Sequence, residues 1–166
     1  ILVADSFGVD TIEIGTGNDT VNASADTSGV YVVQTGSDAS AGDYIMLGSG
    51  ADTVVLGGAA DTVLAGSGDD SLRVGSGNNI VDLGSGQDTV IAGAGADSVY
   101  AVAADTAGDR YELGGGADTV YAGSGADYID VYGADAADSA DYVSAGAGND
   151  TVITGLGDDV VLAGSG

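Results

Sequence analysis

The chain has 166 residues, enough for one domain, and carries 26 acidic against 2 basic side chains, a formal net charge of −24. This charge excludes nucleic acid and anionic membranes as partners and makes cations the expected ones. The chain has no cysteine for disulfides or thiolate sites and no histidine for zinc or triad chemistry, so we expect no enzyme. Its apolar runs are too short for membrane insertion.

The acidic residues are almost all aspartate. Only Glu13 and Glu112 are glutamate, whereas an acidic surface that serves solubility alone would mix the two acids and include more lysine. The preference for aspartate indicates that a short carboxylate is needed close to the backbone. The hydrophobic fraction of 44% is well above that of a disordered acidic tail, so we expect a folded chain.

A nine-residue repeat gives the predicted elements their order along the chain. The regular units occupy 15–23, 48–101, 114–131 and 146–163. Longer units occupy 24–47, 102–113 and 132–145. Each longer unit still ends in the same five-residue register, so its extra residues fall in the glycine-rich part. A loop can lengthen there without disturbing the strand that follows.

The five-residue register predicts a short β-strand. When the aspartate of each unit is counted as zero, positions +2 and +4 hold apolar or small residues, as Val54 and Leu56 do after Asp52. Alternation with period two and β-branched side chains are typical of strands, and a glycine-rich helix would be unstable. Such strands are too short to stand alone, but stacked in parallel they bury one continuous core. We therefore predict a single all-β parallel solenoid over 1–166.

The repeat resembles the RTX (repeats-in-toxin) consensus G-G-x-G-x-D-x-U-x, as AGSGDDSLR at 65–73 illustrates. One departure is systematic, because Ala, Leu, Val or Thr replaces the first consensus glycine. The resemblance covers the chain from about Val9 to Gly166. It implies a right-handed parallel β-roll with two short strands per coil and about eight coils. It also implies calcium ions between consecutive coils, held by aspartates and by the carbonyl groups of glycine-rich turns.

The resemblance further implies that the units alternate between two sides, so that their ligand positions form two series, here called the first and second ladders. The first ladder reads Asp10, Tyr31, Asp52, Asp70, Asp88, Asp109, Asp127 and Asp150. The second reads Asp19, Asp43, Asp61, Asn79, Asp97, Asp118, Asp141 and Asp159. Consecutive acids form five pairs on each side, which implies about ten full calcium sites. Their charge, about +20, would nearly balance the −24 of the chain.

Turn capping is the alternative role for any single aspartate, because this side chain commonly accepts backbone N–H bonds in loops. It does not account for fourteen aspartates in register, since bare carboxylates stacked about 4.8 Å apart would repel one another. Tyr31 and Asn79 replace the ladder aspartate. The gaps beside them are expected to hold calcium weakly or not at all, unless Asp26 reaches in beside Tyr31.

Other acidic and amide residues lie outside the two ladders. The aspartates in the lengthened loops could serve equally as calcium ligands or as solvated polar groups: Asp26, Asp38, Asp105, Asp135 and Asp138. Those that directly precede a ladder position are expected to be solvated: Asn18, Asp69, Asn149 and Asp158.

Three functions are compatible with this repeat. The first is a secreted structural solenoid, part of an extracellular filament, surface layer or adhesin. The second is a calcium-dependent folding and secretion module of a larger RTX toxin or hydrolase. The third, ice binding, is disfavoured because Thr16 alone offers the outward threonine that a ladder would need. In each case the resemblance implies an extracellular protein, exported by type I secretion from a Gram-negative bacterium.

Two surfaces suggest self-association. An outward stripe of apolar and aromatic residues is expected along one face: Tyr44, Met46, Leu64, Ile80, Tyr100, Tyr121, Tyr142 and Leu162. A lateral partner or simple β-propensity would explain it. The ends carry no polar cap, which favours either a fragment of a longer array or head-to-tail contact between copies, with Gly164–Gly166 of one leading into Ile1–Ile14 of the next.

Overall fold

The computed structural model describes residues 8–27, 29–35, 41–102, 104–133 and 139–166. These residues form sixteen short β-strands and no helix. None of the described segments is a helix of the length and hydropathy that a membrane crossing requires.

The strands alternate between two parallel sheets of eight strands each. The first sheet contains, from edge to edge, β1 (Val9–Ile14), β3 (Val30–Thr35), β5 (Thr53–Val55), β7 (Ser71–Gly75), β9 (Thr89–Ala92), β11 (Arg110–Glu112), β13 (Tyr128–Asp130) and β15 (Thr151–Ile153). The second contains β2 (Thr20–Asn22), β4 (Tyr44–Met46), β6 (Thr62–Leu64), β8 (Ile80–Gly84), β10 (Ser98–Ala101), β12 (Thr119–Tyr121), β14 (Tyr142–Ser144) and β16 (Val160–Leu162). Each strand pairs with the strand two places along the chain. The predicted parallel solenoid with two strands per coil is confirmed.

The hydrophobic core is a narrow column between the two sheets. Position +2 of alternate units stacks in register within each sheet, so that Val54 pairs with Leu72 and Leu72 with Val90, all of them buried. The large Tyr111 is also fully buried at this position. At the last strand of the second sheet, where the stacking stops, the column is open: Val161 in β16 is 43% exposed. The period-two pattern therefore correctly identified which side of each strand faces inward.

The glycine-rich turns stack as closely as the strands do. Gly68 and Gly86 have φ angles of +125° and +131°, a backbone conformation that other residues rarely adopt. A Cβ atom added at Gly86 would lie 2.0 Å from the carbonyl oxygen of Gly68, one coil earlier. Glycine is therefore needed for the approach of coil to coil as well as for the turn itself. This approach brings the carbonyl groups of successive turns close to the two ladders.

The predicted outward stripe lies on the second sheet. Its tyrosines contact one another across the strands. The ring centroids of Tyr100 and Tyr121 are 5.5 Å apart, and the two ring planes are nearly parallel. The ring centroids of Tyr121 and Tyr142 are also 5.5 Å apart. Such cross-strand aromatic pairs stabilise a sheet by themselves. The predicted head-to-tail junction involves residues 1–7, which lie outside the described residues.

Candidate metal centre

The two ladders run beside the two sheets in the order that the resemblance implies. In the first ladder, the backbone N–H of Asp52 donates to Oδ1 of Asp70 at 2.8 Å, and that of Asp70 donates to Oδ1 of Asp88 at 2.8 Å. In the second, the N–H of Asp43 donates to Oδ1 of Asp61 at 2.8 Å. The same bond recurs from coil to coil along each ladder. One oxygen of every ladder carboxylate beyond the first coil is thus fixed by the coil before it.

Burial of the ladder aspartates is deepest in the middle coils. Ten of them are buried: Asp43, Asp52, Asp61, Asp70, Asp88, Asp97, Asp109, Asp118, Asp127 and Asp141. The four nearest the ends of the ladders are partly exposed: Asp10, Asp19, Asp150 and Asp159. Aspartate is rarely buried without a partner for its charge. The described residues include only two cations, Arg73 and Arg110, and both are exposed.

The second carboxylate oxygen is the unusual feature of these ladders. It is buried without a hydrogen-bond donor, among the described residues, at Asp10, Asp52, Asp61, Asp70, Asp88, Asp97, Asp127 and Asp150. A buried carboxylate oxygen with neither donor nor cation costs several kcal/mol, so native structures contain only a few such atoms. Its repetition along both ladders indicates that something with positive charge belongs there.

Asn79 shows which other oxygens surround that position. Its amide nitrogen donates to the carbonyl oxygen of Gly77 at 3.0 Å and to Oδ1 of Asp97 at 3.0 Å, and lies 3.5 Å from the carbonyl oxygen of Gly75. In a unit with aspartate, the corresponding atom is a second carboxylate oxygen, which cannot donate to these acceptors. Carboxylate and carbonyl oxygens then face one another, and this set of hard oxygen ligands fits calcium.

Tyr31 interrupts the first ladder in a different way. Its backbone keeps the pattern, because its N–H donates to Oδ1 of Asp52 at 2.7 Å. Its hydroxyl group donates to Oδ2 of Asp26 at 2.5 Å, and Asp26 is buried. Asp26 therefore does reach in from its lengthened loop. The hydroxyl proton already occupies one oxygen of that carboxylate.

The remaining predicted residues divide by burial. Asp105, from the lengthened unit 102–113, is buried beside Asp88 and Asp109. Asn18, Asp69, Asn149 and Asp158 are exposed, as expected. Asp38, Asp135 and Asp138 lie outside the described residues. The burial of Asp26 and Asp105 was left open by the sequence, because one aspartate in a long loop has no repeat to define its position.

Burial without a cation raises the pKa of the ladder carboxyl groups. Desolvation raises the pKa of Asp70 to about 7 and that of Asp88 to about 8, and neighbouring carboxylates add to both shifts. The same cause raises the pKa values of Asp97, Asp109 and Asp127 to about 6. Backbone N–H groups oppose these shifts without cancelling them. In the absence of metal, the carboxyl groups of Asp70 and Asp88 therefore retain protons near neutral pH.

These raised pKa values predict that protons partly substitute for metal. A carboxyl group whose pKa is higher in the folded than in the unfolded chain favours folding at low pH, and this contribution is lost as the pH rises from about 4 to about 8. The calcium-stripped chain should therefore have more β-structure by circular dichroism at pH 6 than at pH 8.5. With saturating calcium, the two spectra should coincide. More β-structure at pH 8.5 than at pH 6 in the stripped chain would contradict this.

The chain was compared with protein families, curated proteins and solved structures. The model of the RTX calcium-binding nonapeptide repeat matches in four copies, over residues 39–72, 64–99, 104–134 and 135–166. The comparisons with curated proteins and with solved structures gave no match. Because the four copies cover most of the chain, the protein belongs to the family of RTX calcium-binding nonapeptide repeats.

Proposed function

We propose that the two ladders bind calcium between consecutive coils and that the loaded solenoid is a rigid structural element outside the cell. The ligands would be the fourteen ladder aspartates together with carbonyl oxygens of the glycine-rich turns. The observation that carries the proposal is the repeated, buried Oδ2 atom without a donor. Calcium supplies the positive charge that these oxygens need. The proposal assigns no catalytic role to any residue.

Calcium at these positions would connect each coil to the next. Asp70 and Asp88 would hold an ion with carboxylates from two coils, and the N–H of Asp70 already fixes one oxygen of the Asp88 carboxylate. Because the same arrangement recurs in both ladders, calcium would stiffen the solenoid along its whole described length. Such an element suits a filament, a surface layer or an adhesin, where a rigid spacer is required. A high extracellular calcium concentration would keep it folded only after export.

The gaps beside Tyr31 and Asn79 are proposed to hold little or no calcium. The amide nitrogen of Asn79 donates hydrogen bonds to the same oxygen atoms that would bind the ion. The hydroxyl group of Tyr31 likewise donates to the carboxylate of Asp26. Two positions along the solenoid are thus held by hydrogen bonds, independent of metal.

Electron microscopy of the native cell surface, with the chain labelled by a specific antibody, tests the structural role. The proposal predicts label on ordered extracellular material that disperses when calcium is chelated and re-forms when calcium is returned. Magnesium in place of calcium is the control, because the smaller ion demands a tighter octahedral geometry. Label confined to a dispersed, soluble secreted product would instead favour the folding and secretion module.

A further inference from the structure

One gap in the first ladder differs from the others because a third carboxylate enters it. Asp88 and Asp109 are consecutive ladder residues, and Asp105 joins them from the lengthened unit 102–113. Oxygen atoms of the three carboxylates lie within 4.8 Å of one another. All three side chains are more than nine-tenths buried, with 1%, 7% and 2% of Asp88, Asp105 and Asp109 exposed. Among the described residues, this is the one place where three acidic groups come so close.

The loop backbone holds Asp105 in this position. Its N–H donates to the carbonyl oxygen of Val102 at 2.9 Å, which closes a turn, and its own carbonyl oxygen accepts from the N–H of Ser124 at 3.0 Å. These bonds tie the loop to its own start and to the next coil. The side chain therefore points inward because of the fold of the loop and not because of attraction to its acidic neighbours.

The hydrogen bonds of the three carboxylates leave two oxygens unsatisfied. Oδ1 of Asp105 accepts from the N–H of Ala107 at 3.1 Å, and Oδ1 of Asp88 accepts from the N–H of Asp70 at 2.8 Å. Both Oδ2 atoms are buried without a partner among the described residues. Capping of the loop turn explains Oδ1 of Asp105. It does not explain why the second oxygen is buried beside two other carboxylates, where repulsion is strong.

The other buried loop aspartate provides an internal comparison. Asp26 makes the same turn as Asp105, with its N–H donating to the carbonyl oxygen of Ala23 at 3.0 Å and its carbonyl accepting from Ser49 at 3.3 Å. There the ladder residue is Tyr31, and its hydroxyl group supplies a proton to the loop carboxylate. At Asp105 the ladder residue is Asp109, which has no proton to supply at high pH. The same loop thus meets a donor in one coil and two carboxylates in another.

We propose that Asp105 converts the gap between Asp88 and Asp109 into the tightest calcium site of the chain, which fills first and from which the solenoid assembles. The proposal rests on the proposed calcium binding by the ladders and adds an order to it. Calcium affinity rises with the number of charged ligands, and here three carboxylates replace the two of an ordinary gap. Assembly from this site would proceed in both directions, because it lies in the interior of the first sheet, with strands stacked on both sides.

Calcium competition with a chromophoric chelator tests the proposal on the full chain. We expect one tight ion followed by a weaker class of about nine. Asp105→Asn keeps an oxygen for the Ala107 N–H but removes the charge, and should weaken the tight ion about tenfold or more while leaving the weaker class unchanged. Asp158→Asn, at an exposed position with the same change in charge, is the control. Circular dichroism at saturating calcium checks that each variant folds.

Terbium luminescence provides a second readout that does not depend on the Asp105 variant. The hydroxyl group of Tyr111 donates to Oδ2 of Asp109 at 3.1 Å, so Tyr111 should sensitise a terbium ion bound in this gap. Tyr111→Phe leaves all three carboxylates in place and should remove most of the emission from the first equivalent of terbium. Unchanged first-equivalent emission, or equal effects of Asp105→Asn and Asp158→Asn, would overturn the inference. Absence of any calcium binding by the unaltered chain would instead overturn the proposed function.

Discussion

Removal of calcium should unfold most of the β-solenoid into a disordered chain. The expected loss is large because ten ladder aspartates are buried and the hydrophobic core is only a narrow column. Without a cation, carboxylates about 4.8 Å apart repel one another at low dielectric, and unfolding relieves this repulsion. Circular dichroism at pH 8 should show most of the β-sheet signal lost in excess chelator and regained at near-millimolar calcium.

Two controls separate specific binding from general screening. Sodium chloride at 1 M reduces the Debye length to about 3 Å, yet it should not restore the signal, because the buried oxygens need a directly bound ion. Magnesium should restore it poorly, since the ion prefers an octahedral shell and keeps its water. The same β-sheet content in excess chelator and in calcium would contradict the expected result.

Asp70→Asn should remove calcium ions from both gaps that Asp70 borders. The new side chain keeps the oxygen that accepts from the N–H of Asp52, so the backbone bond of the ladder survives. Its amide nitrogen can then donate to turn carbonyls, as that of Asn79 does to Gly77. We expect equilibrium dialysis to count about two fewer bound ions and the calcium midpoint of folding to rise severalfold.

The neighbouring residue supplies a matched control for this variant. Asp69 is exposed, and its Oδ1 accepts from the N–H of Gln87 at 2.9 Å, a bond that asparagine can keep. Asp69→Asn therefore makes the same change in charge and in atoms, one residue away, outside the ladder. It should leave the number of bound ions unchanged. Equal losses in the two variants would show that net charge, and not ligation by Asp70, controls the binding.

The fold could be predicted from the sequence because the same pattern of strand residues recurs in unit after unit. Val54, Leu72 and Val90 occupy the same place in their units, and the structure stacks them in register. The order of the ladders followed from the same period through the family resemblance. Apart from the units with Tyr31 and Asn79, each unit has an aspartate at the same place before its strand, so parallel stacking alone brings these aspartates into line.

The parts that could not be predicted all depend on single side chains in irregular turns. Asp105 is buried because its backbone bonds to Val102 and Ser124, and no periodic signal marks those contacts. The pairing of the Tyr31 hydroxyl group with Asp26 likewise depends on the path of one loop. Asn79 departs visibly from the repeat in the sequence, and weak calcium binding beside it stays a prediction. The bond from its amide to the carbonyl group of Gly77 depends on the path of the turn, which the repeat does not specify.

Anomalous diffraction from calcium-loaded crystals would locate the ions directly. We expect two rows of ions, each ion between consecutive ladder aspartates such as Asp52 and Asp70, with weak or absent peaks beside Asn79 and Tyr31. The strongest peak at low calcium should lie between Asp88 and Asp109, next to Asp105. Maps in which the Oδ2 atoms of Asp52, Asp70 and Asp88 contact only water at saturating calcium would contradict the central claim.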